Sequence, residues 1–251
     1  MSRLDDLTIK IFADGADLDG IVAMAENPLI RCFTTNPTLM RKAGIIGYEE
    51  FAREVIAAVP DYPVSFEVFA DDFDEMILQA RRIAAWGTNV NVKIPVTDTA
   101  GRSSRRVIET LAGEGVVLNI TAIMTLAQVE IVAKALDPQV PAIVSVFAGR
   151  IADTGVDPVP HMRACRALLA DRPKAELLWA SPREILNIFH AEEAGAQIIT
   201  VTNDVLAKLP LIGKNLDDYS RETVQMFRRD AVASAFAITA PPLVPADLVE
   251  E

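Results

Sequence analysis

Cysteine, histidine and positive charge are all scarce in this chain. Of 251 residues, two are cysteines and two are histidines. Two thiols, Cys32 and Cys165, cannot build the disulfide framework of a small secreted domain, so a cytoplasmic, reducing setting is expected. With only His161 and His190 beside them, no metal-binding cluster is legible, and neither metal nor other cofactor is expected. Lysine and arginine number 24 against 35 acidic residues, giving a net charge of −11. That balance argues against general nucleic-acid binding and against docking on anionic membranes. It leaves room for a phosphorylated small molecule, because local arginines can oppose the global sign. No apolar run approaches the roughly 20 residues of a membrane span. Segment 1–6 lacks the apolar stretch of a signal peptide.

No G-x-G-x-x-G follows the first apolar run, which leaves a dinucleotide-binding sheet without support. What the chain does carry is a regular alternation. Strand-like runs fall at 9–13, 29–33, 64–69, 90–94, 116–119, 142–146, 176–180 and 197–201. Helix-like runs follow at 18–26, 48–59, 73–86, 101–112, 126–136, 158–170, 183–193 and 204–209. Eight β-then-α units in about 200 residues predict an α/β fold, a parallel (β/α)8 TIM barrel, with a doubly wound open sheet as the competitor. No internal linker stands out, so one domain over 1–238 is expected. Its last part, 217–238, reads as an amphipathic helix packed on the barrel or on a partner. The proline-bearing acidic tail 239–251 is expected to be mobile.

In such a barrel the chemistry sits at the C-terminal ends of the strands. Polar residues recur there: Asp14, Asn36 within Thr34-Thr35-Asn36-Pro37, Glu67, Lys93, Asn119 and Thr121, Ser145 and Arg150, Ser181 and Arg183. Lys93 carries the most information. A lysine inside an apolar run is costly to bury as an ammonium, and a buried neutral amine is a nucleophile for carbonyl carbons. Each residue also has a plainer reading. Asp14 before Gly15 could make a turn, Thr35-Asn36-Pro37 could cap a loop, and Lys93 could reach out to solvent. Arg150 and Arg183 could be surface charges paired with Asp153 and Glu184. Their shared position favours one cup, since ringing a core with unpaired polar groups gains little stability.

The stretches Ile11-Phe12-Ala13-Asp14, Thr34-Thr35-Asn36-Pro37-Thr38, Phe66-Glu67-Val68, Val92-Lys93-Ile94-Pro95, Asn119-Ile120-Thr121, Ser145 to Arg150 and Ala180-Ser181-Pro182-Arg183 resemble the transaldolase family. The likeness is to its short form, which includes the fructose-6-phosphate aldolases. The resemblance implies a class I aldolase barrel that transfers a dihydroxyacetone unit between sugar phosphates. It implies Lys93 as the Schiff-base lysine, Asp14 as the acid/base residue, and Glu67 with Thr121 as holders of a catalytic water. It further implies Asn36, Asn119 and Ser145 on the donor hydroxyls, and Arg150, Ser181 and Arg183 on phosphate.

Two activities share this machinery. A transaldolase keeps the enamine for an acceptor aldehyde; the related aldolases release free dihydroxyacetone. Those aldolases carry glutamine at the position of Glu67 and, on an ungapped reading, tyrosine at that of Met124, so the resemblance favours the transferase. Gly15, the Met124-Thr125-Leu126 run and Thr200-Val201-Thr202-Asn203 depart from the family pattern around the cup and leave the acceptor sugar open. A third reading is a non-catalytic sugar-phosphate-binding protein on the same barrel. Short forms of the family often assemble through a C-terminal helix, so a homo-oligomer is expected.

Overall fold

A computed structural model describes residues 7–238. They divide into two compact units, 7–209 and 210–238. In the first, eight strands run β1 (Lys10–Asp14), β2 (Ile30–Thr34), β3 (Val64–Glu67), β4 (Val90–Pro95), β5 (Leu118–Ile123), β6 (Ala142–Val146), β7 (Ala175–Trp179) and β8 (Ile198–Thr202). All pair in parallel in chain order, and β8 returns to β1 to close a (β/α)8 barrel, so the doubly wound alternative falls away. The helices are α1 (Leu18–Ala25), α2 (Pro37–Lys42), α3 (Tyr48–Ala58), α4 (Phe73–Ala84), α5 (Arg105–Gly113), α6 (Leu126–Ala135), α7 (Ala148–Asp153), α8 (Pro158–Leu168), α9 (Leu186–Glu193) and α10 (Asn203–Leu206). The second unit holds α11 (Leu216–Ala233).

Strand parity sorts the side chains into two layers. Residues such as Val92, Ile94, Val144, Leu177 and Val201 pack outward with the helices into the large core. Phe12, Cys32, Ile143, Leu178, Ala180 and Ile198 form a separate, smaller cluster. These are the inward-facing positions, because side chains alternate with a period of two along a strand. Burying the four large ones, Phe12, Ile143, Leu178 and Ile198, stabilises the fold by ~1.5–3 kcal/mol each. Two residues further on, the same parity brings up Asp14, Thr34, Ser145 and Thr200. An apolar plug therefore floors the barrel, and a polar layer sits directly above it.

Several boundaries differ from the sequence expectation for local reasons. α2 and α7 lie in stretches without a helical repeat, being only six residues each. Pro37 opens α2, where its missing N–H costs nothing, and the Asn36 Oδ1 accepts from the Leu39 N–H at 3.0 Å. α5 starts at Arg105 rather than 101, because an isolated antiparallel bridge from Thr97 to Ser103 and the Asp98 carboxyl bound to the Arg102 N–H at 2.7 Å hold the preceding turn. Asn215 caps α11 through Oδ1, and none of its residues is buried; Leu216, Val224, Phe227 and Val232 are exposed. The tail 239–251 lies outside the described residues. No described helix is long and apolar enough to cross a membrane.

One glycine is fixed by close approach. The Gly149 N–H donates to the Ala180 carbonyl at 3.2 Å, and a Cβ on Gly149 would lie 1.5 Å from the Ser181 carbonyl oxygen. Backbone cannot yield as a flexible side chain does. Gly149→Ala should therefore lower stability by about 3 kcal/mol, read from the midpoint of urea unfolding. Gly113→Ala, with nothing within 4 Å, should not.

Candidate active site

Register builds the site. Glu67, Lys93 and Asn119 are successive Cα partners across β3, β4 and β5, and Asp14 pairs with Thr34 across β1 and β2. Residues level in a closed parallel sheet and of one parity point into the same space. They line a cavity of about 560 Å³ at the C-terminal ends of the strands. All ten residues singled out in the sequence line it: Asp14, Asn36, Glu67, Lys93, Asn119, Thr121, Ser145, Arg150, Ser181 and Arg183.

Lys93 is 7% exposed. Its surroundings are not apolar, as the sequence suggested, but polar and specific. Nζ donates to the Thr35 carbonyl at 2.9 Å and lies 3.2 Å from the Glu67 Oε2. Glu67 is fixed in turn through its backbone. The Tyr48 hydroxyl donates to the Glu67 carbonyl and accepts from the Glu67 N–H, both at 2.8 Å. Burial pushes the Tyr48 phenol well above its usual range, so it remains a donor.

Asp14 faces the amine from β1. Its Oδ1 accepts from the Thr34 hydroxyl at 2.8 Å and its Oδ2 from the Asn36 amide at 3.3 Å. Burial raises the carboxyl's pKa, with the Glu67 charge adding to the rise; Lys93 and the two hydrogen bonds work against it. Asn36 has its oxygen committed to the α2 cap and one N–H to Asp14, which leaves it one further N–H for a ligand. Opposite, the Ser145 hydroxyl donates to the Asn119 Oδ1 at 2.6 Å, and the Asn119 amide donates to the Ser65 hydroxyl at 3.2 Å.

The arginines differ from each other. The Arg150 guanidinium lies 5.5 Å from the centre of the Phe147 ring and has no carboxylate partner among the described residues. Arg183 is paired with Asp153 through Nε (3.1 Å) and Nη2, as its plainer reading supposed. That pair engages one edge of the guanidinium, and the Nη1 side stays free to bind. Ser181 beside it has φ 59°, and Ala122 across the cup has φ 62°. Backbone held in this region costs about 1–3 kcal/mol and gathers at functional sites.

Some contributors have no role assigned from the sequence. Ser65 and Thr200 lie two residues from Glu67 and Ile198, so parity alone could have found them. Phe147 is the aromatic of the cup. Met124 is 37% exposed and is not among the lining residues. Asp204 stands at the rim, its carboxyl held below the usual range first by a hydrogen bond from Thr202.

Residues 11–238 match the family model described as Transaldolase/Fructose-6-phosphate aldolase. A protein of Listeria monocytogenes named "Probable transaldolase 2" is 35% identical over 218 residues, covering 85% of this chain and 95% of that protein. A "Probable transaldolase" of Lactiplantibacillus plantarum is 34% identical, covering 85% and 96%. One of Nitrosopumilus maritimus is 31% identical, covering 85% and 94%. A match that runs the length of the barrel and relatives this similar over most of their own length agree, and the chain belongs to the transaldolase/fructose-6-phosphate aldolase family.

Proposed function

We propose that the chain is a transaldolase, moving a dihydroxyacetone unit from a ketose phosphate to an aldose phosphate through a Schiff base on Lys93. The observation that carries this reading is the 3.2 Å contact of Lys93 Nζ with Glu67 in a cavity shared with Asp14 and two arginines. An ammonium must lose a proton before it can attack, and Glu67 stands where it can take one. The freed amine adds to the C2 carbonyl. Glu67, with Thr121, returns the proton to the departing hydroxyl, which leaves as water, and a protonated imine remains. Asp14 then removes the C4 hydroxyl proton, the C3–C4 bond breaks, and its electron pair runs to the imine nitrogen to leave an enamine. An acceptor aldehyde reverses the sequence, with Asp14 giving the proton back. A carboxyl raised by burial suits both halves of that exchange.

Arg150 and the free edge of Arg183 would hold the substrate phosphate, with Ser181 beside them. Asn119 and Ser145, already bound to each other, would receive the donor hydroxyls. The Glu67 carboxylate favours transfer over release of free dihydroxyacetone, the alternative activity. We further infer a cytoplasmic homo-oligomer. Two buried free thiols support the first part. The exposed apolar residues of α11 support the second.

Borohydride reduction with a ketose phosphate should add one covalent adduct to the wild-type chain. Lys93→Met should form none and should keep the native circular dichroism. An adduct in that variant would remove Lys93 from its role. Arg183→Ala should raise KM for phosphorylated sugars about tenfold or more while leaving unphosphorylated ones nearly unchanged. An equal effect on both would deny it the phosphate. Sedimentation velocity at micromolar concentration should show a species larger than 27.3 kDa, and a monomer would contradict the assembly.

A further inference from the structure

We propose that Thr200 is a positioning residue for Asp14, acting through the hydroxyl of Thr34. The proposal rests on the reading of Asp14 as the proton carrier and assigns a role to a side chain outside that reading. β1 lies between β2 and β8, and the two threonines approach each other from those flanking strands. The Thr34 Oγ1 is 2.8 Å from the Asp14 Oδ1 and 2.7 Å from the Thr200 Oγ1. A hydroxyl has a single proton to donate, and a carboxylate can only accept. While Asp14 is ionised, the Thr34 proton is committed to it, so Thr200 must be the donor to Thr34.

When Asp14 takes the substrate's proton, the chain reverses. The acid O–H donates to Thr34, and Thr34 donates to Thr200. Asp14 and Thr34 are then paired in both protonation states with only hydroxyl rotation, and no heavy atom moves; Thr200, which lines the cavity, turns its own proton toward the cavity in the second state. A group that accepts and returns a proton in each turnover needs that property, because an unpaired polar atom in either state would cost free energy in that state alone. The other partner of Asp14, the Asn36 amide, cannot reverse in this way, since an N–H only donates. Its contact is also longer, at 3.3 Å. The charged groups that act on Asp14 are Lys93 from β4 and Glu67 from β3; it also meets the Thr34 hydroxyl from β2 and the Asn36 amide from the α2 cap, with Thr200 of β8 one bond further on.

Thr200 also lines the cavity, so a direct substrate contact is the rival explanation. Thr200→Val keeps the volume and removes the donor. Positioning predicts a fall in kcat of about threefold to tenfold, with KM nearly unchanged, and an acid limb of the kcat profile moved upward by about half a pH unit. Valine removes one bond in each state, and the sign follows because the bond lost in the ionised state backs a charge-assisted donation to the carboxylate, the stronger kind. Thr200→Ser should restore both values. Carbon-13 NMR titration of the Asp14 carboxyl, without substrate, should show the same upward movement in Thr200→Val. An unmoved Asp14 titration overturns the proposal, as does a rise in KM at unchanged kcat or a failure of serine to rescue. Absence of a borohydride adduct in the wild type would instead defeat the Schiff-base reading, and the NMR titration would still judge Thr200.

Discussion

Glu67 and Lys93 stand level on adjacent strands, and the contact between their side chains is the constraint around which the cup is arranged. An ammonium placed this deep is costly unless it is paired and hydrogen-bonded. Both conditions are met locally, by the Glu67 carboxylate and by the Thr35 carbonyl. The carbonyl comes from the turn leading into α2, so the same Thr-Thr-Asn-Pro segment holds the amine, caps a helix and touches Asp14. Tyr48 then secures the Glu67 backbone from the helix layer outside the barrel. In the proposed reaction this arrangement lets a proton leave the amine without leaving the site.

The barrel below explains why the polar layer is affordable to the fold as a whole. Its apolar plug and the larger core between sheet and helices are separate clusters, so the cup's hydrophilic side chains interrupt neither. They are also paired among themselves. Ser65, Asn119 and Ser145 form one chain of bonds, and Thr200, Thr34, Asp14 and Asn36 form another.

Much of this was legible before any coordinates. Strands buried on both faces read as apolar runs, so an intruding Lys93 or Glu67 stands out. The pattern failed where the physics was local. α2 and α7 are too short to show a helical period, and α5 waits for the Asp98–Arg102 turn to finish. By type Thr200 and Ser65 resemble ordinary strand residues; parity puts them on the inner face, and their partners show what they hold. Past Thr121 strand parity no longer applies, because β5 shifts register between Ile120 and Ile123, at Ala122 with its positive φ. Arg183 is paired with Asp153 and still lines the cavity, so a surface ion pair and a place in the cup are compatible.

The junction of Gly149 with Ser181 has a geometric consequence. It joins the loop after β6 to the loop after β7 through main-chain atoms, one residue from Arg150 on one side and two from Arg183 on the other. The backbones that carry the two arginines are thereby held together by main-chain packing rather than by side-chain rotamers. That side of the cup, which carries both arginines, behaves as a fixed jaw. Across the barrel, at the α2 turn after β2, side chains can change without disturbing that seam.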